Sequence, residues 1–396
     1  MKRVLFVDDE PKVLDALRRL LHAMRRQLEM AFLAGGQEAL DYLAQHPCDV
    51  VVTDMRMPGI DGSQLLRQVR RLYPATVRIV LSGQCDMETV LRSLGPAHQF
   101  LTKPCDSEVL KRTVARACQL RDRLADQKVQ ECVSRVEALP VEPETFALIR
   151  AELASGKPSL RRLGELIAAD PACTLLVLQL VNTGFFGTPR RVSDPAQAVN
   201  LLEAETLRAV ASLEHLLFPL EQQHPQAAVC QEIWEHTRAV AVLARKIAQA
   251  EGASPATCCD AFAAGLLHDI GLLAAVWLPA DNCSASLPWV VDWTAEEQSQ
   301  QTTHGDVGAY LIALRGLPDE LVDAVAYHHH PGRSDAAGFT ALTAVHVADA
   351  LVRQAGFGMQ LSDDPVDESY LQQIGLDHRL GQWRQLCSEL LQEVLQ

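Results

Sequence analysis

The chain has 396 residues, of which 48% are hydrophobic and 22% are charged, and its formal net charge is −14. This balance is typical of two or three globular domains with buried cores, and it argues against an intrinsically disordered chain. The acidic charge argues against a broad basic surface for nucleic acid, so we expect no direct DNA binding.

Apolar runs are short throughout the chain. No continuous run reaches the roughly 18 residues that a membrane helix needs. The first apolar run, Val4–Val7, is too short for the core of a secretory signal. We therefore expect a cytoplasmic protein without membrane contact.

Charge and histidine content divide the chain near residue 120. Residues 1–120 carry 17 Lys and Arg against 14 Asp and Glu, whereas residues 121–396 carry 19 against 36. Ten of the 13 histidines follow residue 120. We interpret the chain as residues 1–120, a connector at 121–138, a second domain at 139–354 and an extension at 355–396.

Short apolar runs alternate with amphipathic stretches in the first domain. The apolar runs are Val4–Val7, Met30–Leu33, Val50–Thr53, Ile79–Leu81 and Gln99–Thr102. The amphipathic stretches are Lys12–Met24, Ser63–Leu72 and Asp106–Arg121. This alternation predicts a doubly wound α/β domain, with five parallel strands and helices on both faces.

Polar residues follow four of these predicted strands. They are Asp8 and Asp9, Asp54, Ser82, and Lys103. Because ligands bind at the carboxyl ends of strands in such sheets, we expect these side chains to converge. Converging carboxylates need a cation, and Mg²⁺ suits them. The pattern indicates an aspartate that accepts a phosphoryl group, with Lys103 and Ser82 contacting the phosphate.

Residues 1–120 resemble the response regulator receiver family. The resemblance is carried by VDDE, by TDMRMPGIDG, by the pair Ser82-Gly83 and by FLTKP. It implies a flavodoxin-like fold in which Asp54 is the phosphoacceptor and Lys103 and Ser82 complete the site. It implies Mg²⁺ ligands from Asp8, Asp9, Asp54 and the main-chain carbonyl of Arg56.

The same resemblance implies partners and a switch. A histidine kinase or a small phosphodonor would supply the phosphoryl group. Phosphorylation would draw Ser82 and Lys103 inward, and Phe100 falls at the aromatic switch position of the family. The changed face often forms a dimer in this family, so we expect a homodimer.

The connector lacks Gly and Pro, and its apolar positions are three to five residues apart. These positions are Leu120, Leu124, Val129, Cys132 and Val136. Two interpretations are open: a continuous helix that transmits motion or pairs with a second copy, and a solvated spacer.

The second domain consists of stretches with helical periodicity, separated by Pro and Gly. They are Glu144–Ala154, Ser159–Ala169, Pro171–Asn182, Ala196–Leu213, Cys230–Ala250, Ala256–Trp277, His304–Arg315, Asp319–His329 and Thr340–Gln354. This pattern predicts an all-α domain. In the extension, a loop is expected to precede a closing helix at Leu380–Leu395.

Eight residues of types that bind metals fall on these helices. They are Glu232, His236, His268, Asp269, His304, His328, His329 and Asp349. Imidazole and carboxylate together suit transition metals, and two or more Fe, Mn or Zn ions are one interpretation. The other is a relic site that hydrogen bonds hold in shape. His346 is interpreted as a packing residue.

Residues 133–352 resemble the HD superfamily of metal-dependent phosphohydrolases, and more closely an HDOD domain. The likeness is carried by AADPACT, LVNTGFFG, LLHDIG and GAYLIALRGLPDELVDAVAYHH. It maps the superfamily ligands onto His236, His268, Asp269 and Asp349. His304, His328 and His329 match further ligands of HD-GYP cyclic-di-GMP phosphodiesterases, and Glu232 matches a ligand of their trinuclear members.

Two departures bear on activity. Leu272 replaces the lysine of the HD-GYP stretch HDIGK, and the GYP loop is missing. Two hypotheses therefore remain for the output. One is a protein-interaction module of HDOD type that binds an unknown protein partner, with a structural metal. The other is a metal-dependent phosphohydrolase that acts on a cyclic dinucleotide or a nucleotide.

Overall fold

The computed structural model describes residues 1–83, 90–91, 94–123, 127–136, 138–186, 191–211, 217–275, 302–357 and 365–394. The chain divides into two compact units. The first comprises Met1–Glu137, Leu180–Pro189 and Leu314–Gly316, and the second comprises the remaining residues. Leu124 of the connector and the predicted helix ends at Leu213, Trp277 and Leu395 lie outside the described residues.

The first unit contains a five-stranded parallel sheet, which confirms the predicted fold class. Its strands are β1 (Lys2–Val7), β2 (Leu28–Leu33), β3 (Val50–Thr53), β4 (Val77–Ser82) and β5 (Gln99–Thr102). Its helices are α1 (Pro11–Leu20), α2 (Gly36–Gln45), α3 (Gly62–Leu72), α4 (Ser107–Arg123) and α5 (Gln127–Val133). The strand order is β2-β1-β3-β4-β5.

The central strands are apolar because both of their faces are covered. Every residue of β3 and of β4 is buried, including Arg78. The Arg78 guanidinium donates to the main-chain carbonyls of Pro96, Pro74, Thr76 and Ser134 at 2.7–3.2 Å. Main-chain carbonyls thus satisfy much of a buried guanidinium, and the contacts join β4 to the residues after α5.

The described part of the connector is packed. Val129, Cys132 and Val136 have exposed fractions of 7% or less. Residues 127–136 are therefore not a solvated spacer. Whether α4 and α5 are continuous falls on residues 124–126, outside the described part of the chain.

The second unit is almost entirely helical. Its helices are α6 (Pro143–Ala154), α7 (Leu160–Ile167), α8 (Pro171–Val181), α9 (Pro195–Ala211), α10 (Ala227–Ala250), α11 (Pro255–Leu267), α12 (Ile270–Ala275), α13 (His304–Leu314), α14 (Asp319–Tyr327), α15 (Ala341–Gln354), α16 (Glu368–Gln373) and α17 (Leu380–Val394). Two short strands, β6 (Leu139–Val141) and β7 (Leu217–Pro219), pair in parallel. The all-α expectation missed this pair, because three-residue strands are too short to show a period.

The helices α10, α11 and α15 form the core of the second unit. Thirteen of the fourteen residues of α15 are buried. The stretch Pro255–Ala275, which spans α11 and α12, is long and apolar enough to cross a membrane by length and composition. Among the described residues, the bent pair of α7 and α8 passes the same test only when it is taken as one span. However, 83% of the most apolar window of Pro255–Ala275 is buried inside the fold, as is typical of a core helix.

Two candidate functional sites

The first site lies at the carboxyl edge of the parallel sheet. Asp8 follows β1 and Asp54 follows β3, and both side chains are buried. Lys103, which follows β5, donates from Nζ to Asp54 Oδ1 at 2.7 Å and also to Asp8 Oδ2. The structure therefore brings together three of the residues that the sequence placed at this edge.

Two main-chain features hold Asp54. The N–H of Arg56 donates to Asp54 Oδ2 at 2.6 Å. Gly62, at the start of α3, approaches so closely that a β-carbon there would lie 2.0 Å from the Asp54 carbonyl oxygen. The capping box of Asp61 and Gln64 fixes the first turn of α3 at this point. The carboxylate is thus held by backbone that only glycine permits to pack so tightly.

The other predicted residues of this edge differ in exposure. Ser82, the last residue of β4, is buried, and its carbonyl accepts from the Lys103 N–H at 2.7 Å. Asp9 and the side chain of Arg56 are exposed. Phe100 is buried in β5. Asp9 therefore lies on the solvent side of the site, where an incoming ligand can reach it.

The charge of Lys103 is stabilised by its partners. Burial alone would lower its pKa, but the hydrogen bonds to Asp54 and Asp8 raise the pKa above its ordinary value. Lys103 is therefore a permanent cation at neutral pH. Two of the three carboxylates at the edge share this one positive charge, which leaves net negative charge for a further cation.

The second site lies among the helices of the second unit. His236 is on α10, His268 and Asp269 separate α11 from α12, and His304 begins α13. His328 and His329 follow α14, and Asp349 is on α15. Each of these side chains except His329 has an exposed fraction of 6% or less. Seven of the eight predicted ligand residues thus meet in one buried cluster.

We call His236, His268, Asp269 and Asp349 the first donor group. Asp349 Oδ1 is 3.0 Å from His236 Nε2 and 3.7 Å from His268 Nε2. Asp269 Oδ2 is 3.2 Å from His268 Nε2 and 3.9 Å from His236 Nε2. Ligands at about 2.0–2.2 Å from one ion are themselves about 3–4 Å apart, so this spacing fits one shared cation.

We call His304, His328, His329 and Asp269 the second donor group. His304 Nε2 is 3.2 Å from His328 Nε2 and 3.3 Å from His329 Nε2. The other oxygen of Asp269, Oδ1, is 3.1 Å from His304 Nε2 and 3.9 Å from His328 Nε2. Asp269 therefore belongs to both groups, with one oxygen directed to each.

Main-chain carbonyls set the orientation of three imidazoles. The Nδ1 atom is 2.7 Å from the Gly265 oxygen in His268, 2.8 Å from the Val325 oxygen in His328, and 3.3 Å from the Phe357 oxygen in His236. A carbonyl only accepts, so Nδ1 carries the proton and Nε2 keeps its lone pair in each neutral ring. Metal-binding histidines are oriented in the same way.

The surroundings of His268 and the protonation states of the cluster also fit a metal ion. His268 Nε2 is buried and lacks a hydrogen-bond partner among the described residues, although Asp269 lies near it. Burial lowers the pKa of His328 to about 3, so that ring is neutral. Burial alone would raise the pKa of Asp269, but His268 and His304 hold it well below its usual range. Burial alone would lower the pKa of His268, but the Asp269 carboxylate raises it. A metal ion binds ionised carboxylate and unprotonated imidazole, so binding here would displace a proton from His268.

One predicted ligand stays outside the cluster. Glu232 lies one turn before His236 on α10, but its side chain is exposed and it is in neither donor group. Its role as a ligand stays a prediction. His346 packs as expected, and it also supports the site, because its Nδ1 donates to the His328 carbonyl at 2.7 Å.

Sequence reasoning missed Arg353. Its Nη2 donates to Asp349 Oδ2 at 2.7 Å, and its side chain is buried. A cation four residues after a carboxylate on a helix is the signal that could have found it.

Comparison with known proteins supports both parts of the chain. Residues 4–115 match the response regulator receiver domain, and residues 139–331 match the HDOD domain. The chain is 37% identical over 125 residues to the hydrogenase transcriptional regulatory protein HoxA of Cupriavidus necator, covering 31% of this chain and 25% of HoxA. It is 32% identical over 127 residues to the response regulator protein PilR of Pseudomonas aeruginosa, covering 32% and 28%.

The chain thus spans about a quarter of the length of these curated relatives. Among solved structures, the signal receiver domain of an HD domain-containing protein from Pseudomonas fluorescens Pf-5 is 28% identical. It covers 31% of this chain and 97% of its own, with a TM-score of 0.29. From the two family matches and the fold that carries them, this chain is a response regulator receiver domain followed by an HDOD output domain.

Proposed function

We propose that this protein is a cytoplasmic two-component response regulator that accepts a phosphoryl group on Asp54 and signals through its HDOD domain. The contact of Lys103 with both Asp54 and Asp8 carries the proposal, because it holds a cation beside the carboxylate that would react. An Asp54 oxygen would form the bond to phosphorus as the phosphodonor's bond to phosphorus breaks.

The residues at this edge would have different roles in phosphoryl transfer. Asp8, Asp9, Asp54 and the Arg56 carbonyl would hold Mg²⁺, which supplies charge neutralisation for the phosphoryl oxygens. Lys103 would move its hydrogen bonds from the carboxylates to the new phosphoryl oxygens. The Ser82 hydroxyl would donate to one of them. A local change of charge would then alter the shape of the face near β4 and β5.

Acetyl phosphate with Mg²⁺ tests this proposal directly. We expect wild-type protein to give a phosphoprotein band on a phosphate-affinity gel, and Asp54→Asn to give none. Asp61→Asn is the matched control, since it removes a nearby carboxylate but leaves an N-cap residue in place. An unaltered band in Asp54→Asn, or loss of the band in both variants, contradicts the assignment.

The receiver domain implies a phosphodonor such as a histidine kinase. For the output we propose a protein partner and a homodimer, with ions such as Fe, Mn or Zn held by the two donor groups. Two observations support a metal centre over a relic site: seven donors converge, and the buried Nε2 of His268 has no hydrogen-bond partner among the residues that the structure describes. In this form the HDOD domain is an interaction module that a metal stabilises.

A phosphohydrolase is the second candidate, and the shared carboxylate of Asp269 favours it. Ions held about both of its oxygens would supply activated water and charge neutralisation for a phosphate ester. His236, His268 and Asp349 would hold the site in place, and a cyclic dinucleotide or a nucleotide would be the substrate.

Metal analysis of tag-free protein and a phosphodiester assay separate the two candidates. His268→Ala removes a donor, and His378→Ala is the matched control because His378 is exposed. Bound metal without hydrolysis supports the interaction module. Hydrolysis that disappears in His268→Ala but persists in His378→Ala supports the enzyme. Equal hydrolysis in all three proteins indicates a contaminant.

A further inference from the structure

The two oxygens of Asp349 have different surroundings. Oδ1 faces the first donor group, at 3.0 Å from His236 Nε2. Oδ2 faces away from it, at 2.7 Å from Arg353 Nη2 and 3.9 Å from His329 Nδ1. The guanidinium also lies 3.5 Å from His329 Nδ1. A buried cation of the chain itself therefore lies beside two metal-ligand side chains.

The contact with Arg353 favours one of the two tautomers of His329. A guanidinium only donates, so the ring nitrogen that it contacts accepts. Nδ1 of His329 is then unprotonated, and the proton of the neutral ring is on Nε2. This is the opposite of His268 and His328, whose Nδ1 atoms donate to carbonyls. In this tautomer the Nε2–H of His329 is directed to His304 Nε2. An ion of the second donor group could bind His329 Nε2 only if that proton is displaced.

Asp349 Oδ2 and His329 Nδ1 would otherwise be a ligand pair for a further cation. Their separation of 3.9 Å suits two ligands of one ion. Glu232, the remaining predicted ligand, is exposed on α10 and belongs to neither donor group. A divalent ion at this place would have to displace Arg353 from a buried ion pair and leave its charge uncompensated.

We propose that Arg353 takes the place of a third cation beside Asp349 and His329, and so limits the centre to two ions. The inference rests on the proposed metal centre. It assigns Arg353 as a positioning residue, since it acts on Asp349 and His329 and not on a substrate. The side chain supplies the positive charge that Asp349 Oδ2 would otherwise take from a metal.

Equilibrium dialysis of tag-free protein against Mn²⁺, followed by elemental analysis, tests the limit. We expect two ions per chain in the wild type and in Arg353→Lys, which keeps the cation. We expect three in Arg353→Glu, which replaces the guanidinium by a ligand. Arg384→Glu is the matched control, because it makes the same change of charge at an exposed position of α17 and should still bind two.

The outcomes separate this inference from the metal centre itself. Two ions in the wild type with two or fewer in Arg353→Glu overturns the role of Arg353 and leaves the centre intact. Three ions in the wild type, or three in Arg384→Glu as well, also overturns it. If the wild type binds no ion, both the proposed metal centre and the proposed limit of two ions are wrong.

A second measurement uses the wild type, so it tests the inference even if the Arg353→Glu variant does not fold. In metal-free protein labelled with ¹⁵N, the ring nitrogens of His329 and His328 should show opposite tautomers. We expect the proton on Nε2 in His329 and on Nδ1 in His328. A proton on Nδ1 of His329 would mean that Arg353 does not contact this ring, and the inference would be abandoned.

Discussion

The backbone of Gly271 lies against the main-chain carbonyl of His304, so closely that a β-carbon on Gly271 would be 2.1 Å from that oxygen. This contact joins the first turn of α12, two residues after Asp269, to the first residue of α13. It therefore sets the distance between a carboxylate and an imidazole that both belong to the second donor group.

Gly271→Ala should accordingly destabilise the HDOD domain. The new methyl group would meet backbone atoms, which cannot turn aside as a flexible side chain can, and overpacking of this kind costs about 1–3 kcal/mol. Gly381→Ala is the control, because a β-carbon there meets nothing within 4 Å. Urea unfolding should show a loss only for Gly271→Ala. Equal stability of the two variants would contradict the close approach.

Lys103→Met should destabilise the receiver domain in a way that Mg²⁺ partly reverses. The substitution leaves the buried Asp8 and Asp54 without their shared cation, and uncompensated buried charge costs several kcal/mol. Thermal unfolding with and without Mg²⁺ measures this effect.

Lys111→Met serves as the control for Lys103→Met. Its ion pair with Glu108, at 2.8 Å, is partly exposed, and such pairs contribute about 0–1 kcal/mol. We expect a small change in this variant and no rescue by Mg²⁺. An equal rescue of both variants would argue against a cation site at Asp8 and Asp54.

Asp170 should make the stability of the HDOD domain depend on pH. Its carboxylate caps α8 by accepting from the Cys173 N–H at 2.8 Å, and it also accepts from the Glu142 N–H at 3.0 Å. Burial raises its pKa to about 6, above the ordinary value of 3.8. A raised pKa means that the folded state holds the proton more tightly than the unfolded state does.

The contribution of Asp170 is therefore greatest below about pH 4 and is lost as the pH rises through about 6. Asp170→Asn does not titrate, so the free energy of unfolding of the wild type relative to this variant should fall between about pH 3.5 and 6.5. The full fall is about 3 kcal/mol. A relative stability that rises over this range would reverse the assigned direction of the pKa shift.

His346→Leu should lower both the stability of the HDOD domain and its affinity for metal, although His346 is in neither donor group. The ring donates from Nδ1 to the His328 carbonyl and accepts at Nε2 from the Asp367 N–H at 2.8 Å. Loss of both contacts leaves buried polar groups unsatisfied, at about 1–3 kcal/mol each. Urea unfolding checks the stability, and Mn²⁺ dialysis should show about 10–100-fold weaker binding. Unchanged metal affinity would separate His346 from the proposed centre.

Much of the receiver edge could be predicted from the sequence. Parallel strands that are buried on both faces appear as apolar runs, so the residues that follow those runs, Asp8, Asp54 and Lys103, could be assigned to strand ends. The helical cluster required the resemblance to a family, because helical period alone places His236 and Asp349 on helices but does not bring α10 and α15 together.

What the sequence did not indicate depends on tertiary contacts. Arg353 is an ordinary basic residue near the end of a helix until Asp349 is known to be buried in the cluster. His346 was interpreted as packing because its partners, the His328 carbonyl and the Asp367 N–H, are main-chain groups. The strands β6 and β7 are far apart in the chain and are held by each other, not by a local pattern.

In the proposed metal centre, Asp269 would couple two binding equilibria through a single carboxylate. Because Oδ2 is directed to His268 and Oδ1 to His304, one rotation of the carboxylate plane alters both donor groups at once. Linkage then requires that an ion at either group changes the affinity of the other by the same factor. A cation titration of this domain should accordingly give two coupled steps, and not two independent isotherms.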